Sequence, residues 1–208
     1  KIIKKRIENK PFAKSNTLLH VLIEDEYAEG HSLDFYLNKS IAKNKFDEFI
    51  AYFKIWLNFI LNNGLNQANN ENIYCSILKD KFIDSKPKNI IFKNGALILI
   101  DKEWEYKKAC TVYSIIIRYL IEINFKFINN NIPGRKDPIS KLFDYLKINY
   151  SNEIFEQYAV VEEDIANIVY DSCCNAINGD YPKQNKSKYN LIHKAKIVLN
   201  KIKNINTC

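Results

Sequence analysis

The chain contains no methionine, not even at its first position, and only three arginines, Arg6, Arg118 and Arg135. The first absence makes Lys1 an unnatural beginning, as in a chain that was trimmed or stripped of its methionines. The second bears on partners. A net charge of +7 invites a nucleic-acid reading, but the guanidinium is the group that forks onto phosphates and guanine edges, and lysine has no such geometry. The 27 asparagines, with abundant lysine and isoleucine, are what an AT-rich coding sequence produces whatever the function. The charge is therefore read chiefly as compositional drift, with a functional basic face that binds nucleic acid as the weaker reading, and nucleic acid is not the expected partner. Cysteines are few and unpaired in spacing: Cys75, Cys110, Cys173, Cys174 and Cys208 form no C-x-x-C, and His20, His31 and His193 are scattered. That pattern does not look like a disulfide framework and argues against a zinc site. Free thiols in a reducing compartment are expected instead. No apolar run reaches the roughly 18 residues that span a bilayer. Tyr113–Ile123 comes closest and is interrupted by Arg118 and Glu122. Lys1–Lys10 is too charged for the apolar heart of a signal peptide. The expectation is a soluble, cytoplasmic chain with no transmembrane segment.

What is present is enough apolar surface for a core. Of 208 residues, 47% are hydrophobic and 13% aromatic, which fits one domain or a domain with a small appendage. Lys1–Lys10 reads as a strand ending at Pro11, and Thr17–Asp25 as a buried strand. After Gly30, Ser32 is placed to cap a short helix. Over Lys45–Asn62, Phe46, Phe49, Ile50, Phe53, Trp56, Leu57 and Ile60 recur at helical spacing, and Gly64 marks a stop. Ile90–Phe92 and Ala96–Ile100 flank Asn94-Gly95, the strongest short-range hairpin signal. Downstream, helices are expected over Ala109–Phe127, Asp137–Asn149, Asn152–Ala176 and Lys186–Lys203. Trp56 and Trp104 are read as core residues. Arg118, in an apolar helix, is either a surface arginine or paired with a buried carboxylate, for which Glu103 and Glu105 are candidates. The lysines of Lys183–Lys203 are read as a solvated helix face, with a phosphate-rich or membrane-surface partner as the minority reading.

The stretch that carries chemistry is Phe82–Tyr106. Asp84 and Asn89 share a loop, a hairpin follows, and Asp101 ends its second strand. Phosphoryl transfer needs an acceptor-side carboxylate and oxygen ligands for a divalent cation, because its transition state is stabilised by positioning and charge neutralisation. A loop followed by a hairpin delivers three such groups together.

Asp84-Ser85-Lys86-Pro87-Lys88-Asn89 matches the D-x-K-P-x-N catalytic loop of protein-kinase-like phosphotransferases, and the chain resembles that superfamily. The resemblance implies that Asp84 orients the acceptor hydroxyl and that Lys86 neutralises the transferring phosphate. It implies that Asn89 and Asp101 hold Mg²⁺. Glu26-Tyr27-Ala28-Glu29-Gly30-His31-Ser32-Leu33 looks like a kinase hinge, which would turn the backbone of Glu26 and Ala28 toward the adenine of ATP. Phe82-Ile83 stands where most protein kinases have His-Arg, and Lys102-Glu103-Trp104 follows the metal aspartate in place of Phe-Gly. The Ile100-Asp101-Lys102-Glu103 pattern is closer to aminoglycoside and choline phosphotransferases. Extended to Trp104, with Arg118 in the apolar helix behind it, it resembles kinase-like domains attached to bacterial methyltransferases and glycosyltransferases of surface-polysaccharide synthesis. Lys1–Asp25 contains no glycine, so the phosphate-covering loop and strand lysine of the superfamily are expected in an upstream domain of a parent protein, or nowhere. The implied fold is α+β and mainly α. Residues 1–30 would be a remnant of the nucleotide lobe and hinge, and residues 31–208 a helical C-terminal lobe. The implied partners are a nucleotide and a hydroxyl-bearing small molecule or glycan. The alternative is a non-catalytic scaffolding module of the same fold.

Overall fold

The computed structural model describes residues 3–4, 17–20, 25–26, 28–129, 158 and 160–165. The chain divides into two compact units, Lys1–Ile115 and Ile116–Cys208. In chain order the first holds strands β1 (Ile3–Lys4), β2 (Leu18–His20), β3 (Asp25–Glu26) and β4 (His31–Ser32), then helices α1 (Leu33–Ala42) and α2 (Phe46–Asn63). Strands β5 (Leu65–Gln67), β6 (Ile77–Leu78), β7 (Ile90–Lys93), β8 (Ala96–Leu99) and β9 (Trp104–Tyr106) follow, with short 3-10 turns at Ile73–Cys75, Asp80–Phe82 and Pro87–Asn89. Helix α3 (Val112–Asn129) begins in this unit and continues into the second.

Local chemistry accounts for most boundaries. Ser32 caps α1, its hydroxyl accepting from the Phe35 amide at 3.3 Å, with Asp34 in the positive first turn. The helix closes with paired reverse bonds, Asn44 N–H to Ile41 O (2.9 Å) and Lys45 N–H to Ser40 O (2.8 Å). Asn44 sits at φ 55° between them, a conformation asparagine tolerates. Helix α2 buries Phe49, Ile50, Phe53, Trp56, Leu57 and Ile60, the face expected from their spacing. Gly64 caps it as expected, although not by a left-handed turn. Its φ is an ordinary −96°; what glycine supplies is room, since a Cβ there would lie 2.6 Å from Phe82 Cδ1.

The strands form small separate sheets: β1 with β3, β2 with β9, β5 with β6, and β4-β7-β8 in that order. The described ends of the Thr17–Asp25 run thus pair with different partners. Leu18 faces Tyr106 in one sheet and Asp25 faces Lys4 in another. The β7–β8 hairpin turns at Asn94 (φ 52°) and Gly95 (φ 79°), both left-handed as a tight type I′ turn requires. Its register sets Ile90 opposite Leu99 and Lys93 opposite Ala96. On its other side β7 pairs with β4, so the segment after Gly30 is joined to the hairpin.

Helix α3 starts at Val112 and not at the expected Ala109, because Thr111 is held in a bridge to Ile77 and the Val112 amide donates to Ser76 O. In the second unit, α3 buries Ile116, Ile117, Tyr119, Leu120 and Ile123, and residues 158 and 160–165 are helical. The latter fall within the helix expected over Asn152–Ala176. The helices expected over Asp137–Asn149 and Lys186–Lys203 lie outside the described residues. The fold is mixed α and β, and no helix among the described residues is long and apolar enough to cross a membrane.

Candidate functional site

The loop between β6 and the hairpin is built from two 3-10 turns and a buried tether. Asp80–Phe82 forms the first turn, and Pro87, pre-set for a first helical position, opens the second at Pro87–Asn89. Between them Ser85 is fully buried. Its amide and hydroxyl both donate to Phe82 O, at 3.1 and 2.8 Å. Its carbonyl accepts the indole N–H of Trp56, from the buried face of α2, at 2.8 Å.

The residues on either side of Ser85 meet. Asn89 is 5% exposed, and its Nδ2 donates to the Asp84 carbonyl at 2.9 Å and to Asp84 Oδ2 at 2.8 Å. The other carboxylate oxygen, Oδ1, lies 3.6 Å from Lys86 Nζ, whose side chain is only 6% exposed. A buried ammonium requires a counter-charge, and Asp84 supplies one. Three of the residues expected at the site are therefore in direct contact. The hairpin returns the chain to Asn89: Ile100 N–H donates to Asn89 O at 2.8 Å, and the next residue, Asp101, turns left-handed at φ 54°. That turn follows β8, and Asp101 is half-buried.

Glu26 and Ala28 are placed differently. Glu26 lies in β3 opposite Ile3, and Ala28 is half-buried in the irregular segment before Gly30. They lead into β4, which reaches the loop through its pairing with β7. His31, next in line, is exposed and stacks on Phe35 with ring centroids 4.3 Å apart.

A cluster of charges holds the start of the loop to β9. Lys107 Nζ lies 2.8 Å from both Asp80 Oδ2 and Glu105 Oε2, and Lys81 is 3.7 Å from Glu105 Oε1. Its hydrogen bonds to Asp80 and then Glu105 raise the Lys107 pKa above its usual value. Glu105 is thus engaged by neighbouring lysines. Of the two readings of Arg118, the paired one holds, but the partner is neither Glu103 nor Glu105: Arg118 Nε lies 2.7 Å from Glu162 Oε1, in the second unit. The partner is supplied by a helix distant in sequence, which spacing along α3 could not show.

Trp56 was legible in the sequence as core, and it is wholly buried. Its bond to the loop was not legible, since nothing in a helical period tells which loop an indole N–H will meet. Trp104, read the same way, is half-buried in β9. Among the described residues, no three His, Cys, Asp or Glu side chains gather closely enough to form a metal cluster. Cation ligation here would have to combine Asp101 with an amide oxygen. No protein-family model, curated protein or solved structure matches the chain.

Proposed function

We propose that this chain carries the catalytic loop of a kinase-like phosphotransferase, moving the γ-phosphate of a Mg-nucleotide to a hydroxyl such as that of a sugar or surface polysaccharide. The observation behind this reading is the contact set Asp84–Asn89–Lys86, with Asp101 held one residue beyond the Ile100–Asn89 bond. Asp84, bonded on one oxygen by Asn89 and faced on the other by Lys86, is an oriented carboxylate suited to aligning an acceptor hydroxyl. Lys86 is a cation set beside the place where phosphate charge would pass. The residues fit a hard divalent cation. Donation from Asn89 Nδ2 to Asp84 turns the amide oxygen away from that carboxylate, and Asp101 offers a second oxygen donor. When bound, Mg²⁺ would neutralise phosphate charge and orient the nucleotide.

A second reading also has an observation in its favour. Asn89 and Lys86 both engage the Asp84 carboxylate, contacts that support the loop's shape whatever its chemistry. A non-catalytic scaffolding module of the same fold would keep these contacts.

Thermal unfolding with and without ATP and Mg²⁺, beside Asp101→Asn, separates the two. Ligand at about 100 times its dissociation constant adds about 2.7 kcal/mol. For a chain of this size that is a rise of several degrees, at roughly 2–4 °C per kcal/mol. A Mg-dependent rise that disappears in the variant is the expected result. No rise in the wild type removes nucleotide binding by this chain alone and leaves two explanations, a nucleotide lobe supplied by an upstream domain or the scaffold, which the same experiment on the longer parent chain separates.

A further inference from the structure

The Asp84 and Lys86 side chains flank a single residue, Ser85, and that residue is held by a donor from another element. We infer that Trp56 is a positioning residue for the site, its indole N–H setting the peptide that joins Ser85 to Lys86. This rests on the phosphotransferase reading only for its consequence in turnover; the tether itself does not.

The constraint acts through one plane. The carbonyl oxygen of Ser85 and the amide of Lys86 belong to the same rigid peptide unit. Pinning that oxygen at 2.8 Å from Trp56 Nε1 fixes the rotation of the unit. It therefore fixes ψ of Ser85 and φ of Lys86, and with them the direction in which Lys86 leaves the backbone. Lys86 then extends to within 3.6 Å of Asp84 Oδ1, and its carbonyl accepts the Asn89 amide at 2.8 Å. Both downstream members of the contact set start from the peptide that Trp56 holds.

Trp56 suits that task. The indole is a donor with no acceptor function, on a side chain with two rotatable bonds. It is 0% exposed, packed edge-to-face on Phe53 with centroids 5.1 Å apart, and Ser85 is 0% exposed as well. Neither group can exchange its bond for water without opening the core. Core packing would be met by any large apolar side chain; the aimed N–H is what distinguishes tryptophan here.

The test compares Trp56→Phe with Phe53→Leu in the full chain. The first removes the N–H and keeps an aromatic ring; the second disturbs the same core without touching the loop bond. Hydrogen exchange is followed at the amides of Asn89 and Ile100, which donate within the site, and of Gly64, which donates to Ile60 O at the end of α2. In Trp56→Phe, exchange at Asn89 and Ile100 is expected to rise at least about tenfold more than at Gly64, as local opening of the loop requires. In Phe53→Leu the three amides are expected to change in step. Parallel acceleration of all three in Trp56→Phe would overturn the inference and leave Trp56 as packing alone. Where MgATP turnover is measurable, kcat of Trp56→Phe is expected to fall about 10- to 100-fold with the nucleotide KM unchanged, the mark of a misplaced group. An unchanged kcat would likewise overturn it. A wild type with no turnover refutes phosphoryl transfer only, and the exchange comparison then decides the tether.

Discussion

Removing the Asn89 side chain tests the organisation of the site without assuming any activity. Asn89→Ala deletes two hydrogen bonds, one to the Asp84 carbonyl and one to its carboxylate, from a residue that is 5% exposed. A neutral bond contributes about 0.5–1.5 kcal/mol and one to a charged acceptor about 1.5–3 kcal/mol. The Asp84 side chain is 22% exposed, so water partly replaces the lost donor. The expected cost is therefore about 2–3 kcal/mol, toward the lower part of the summed range. Urea unfolding measures it as a shift in midpoint at constant slope. A double-mutant cycle with Asp84→Ala sharpens the result. Asp84→Ala loses the carboxylate bond and the Lys86 contact but keeps its backbone carbonyl. The Lys86 contact is lost in Asp84→Ala and in the double variant alike, so it cancels. What remains is the Asn89–carboxylate coupling, expected at about 1.5–3 kcal/mol. A coupling below about 0.5 kcal/mol, the limit within which independent sites add, would refute the contact set as an organised unit.

Two further perturbations follow from particular contacts. Gly64→Ala forces a Cβ to 2.6 Å from Phe82 Cδ1 and 2.8 Å from Ile60 O. It is expected to destabilise by about 1–3 kcal/mol in urea unfolding, as overpacking does. The helix-propensity gain of alanine would have to dominate for the sign to reverse, and a stabilised variant would show that the end of α2 and Phe82 are not in contact. Alkaline stability should fall. Burial raises the pKa values of Tyr74, Tyr113 and Tyr158 above 10.0, and hydrogen bonds to Asp80 and Glu105 raise that of Lys107 above 10.5. Each group keeps its proton longer in the folded chain than in the unfolded one. The stability they contribute is complete below about pH 10 and is lost as pH rises through the folded values. Urea midpoints at about pH 9 and pH 11 should differ in that direction, and Tyr158→Phe should flatten the slope. A midpoint that is level across this interval would contradict the burial of these phenols.

The elements set by near neighbours were legible before any tertiary contact was known. The period of three and four over Phe49–Ile60 specifies the buried face of α2, and Asn94-Gly95 specifies the hairpin, because φ and ψ preferences act over a few residues. Ser32 as a cap, and a loop with Pro87 between Asp84 and Asn89, rest on the same local physics. The hairpin also carries Asp101 back toward Asn89, so the neighbourhood of those residues could be read from loop and turn alone.

Contacts between distant segments had no such signal. That β7 pairs with β4, that Leu18–His20 joins β9 while Asp25–Glu26 joins β1, and that Arg118 meets Glu162 are outcomes of packing across long sequence separations. So is the meeting of Trp56 with Ser85, 29 residues apart. By itself the sequence determined which side chains must leave water and which short segments must turn. Only the folded chain decided which donor meets which acceptor, because buried polar groups take partners from whatever element packing brings to them.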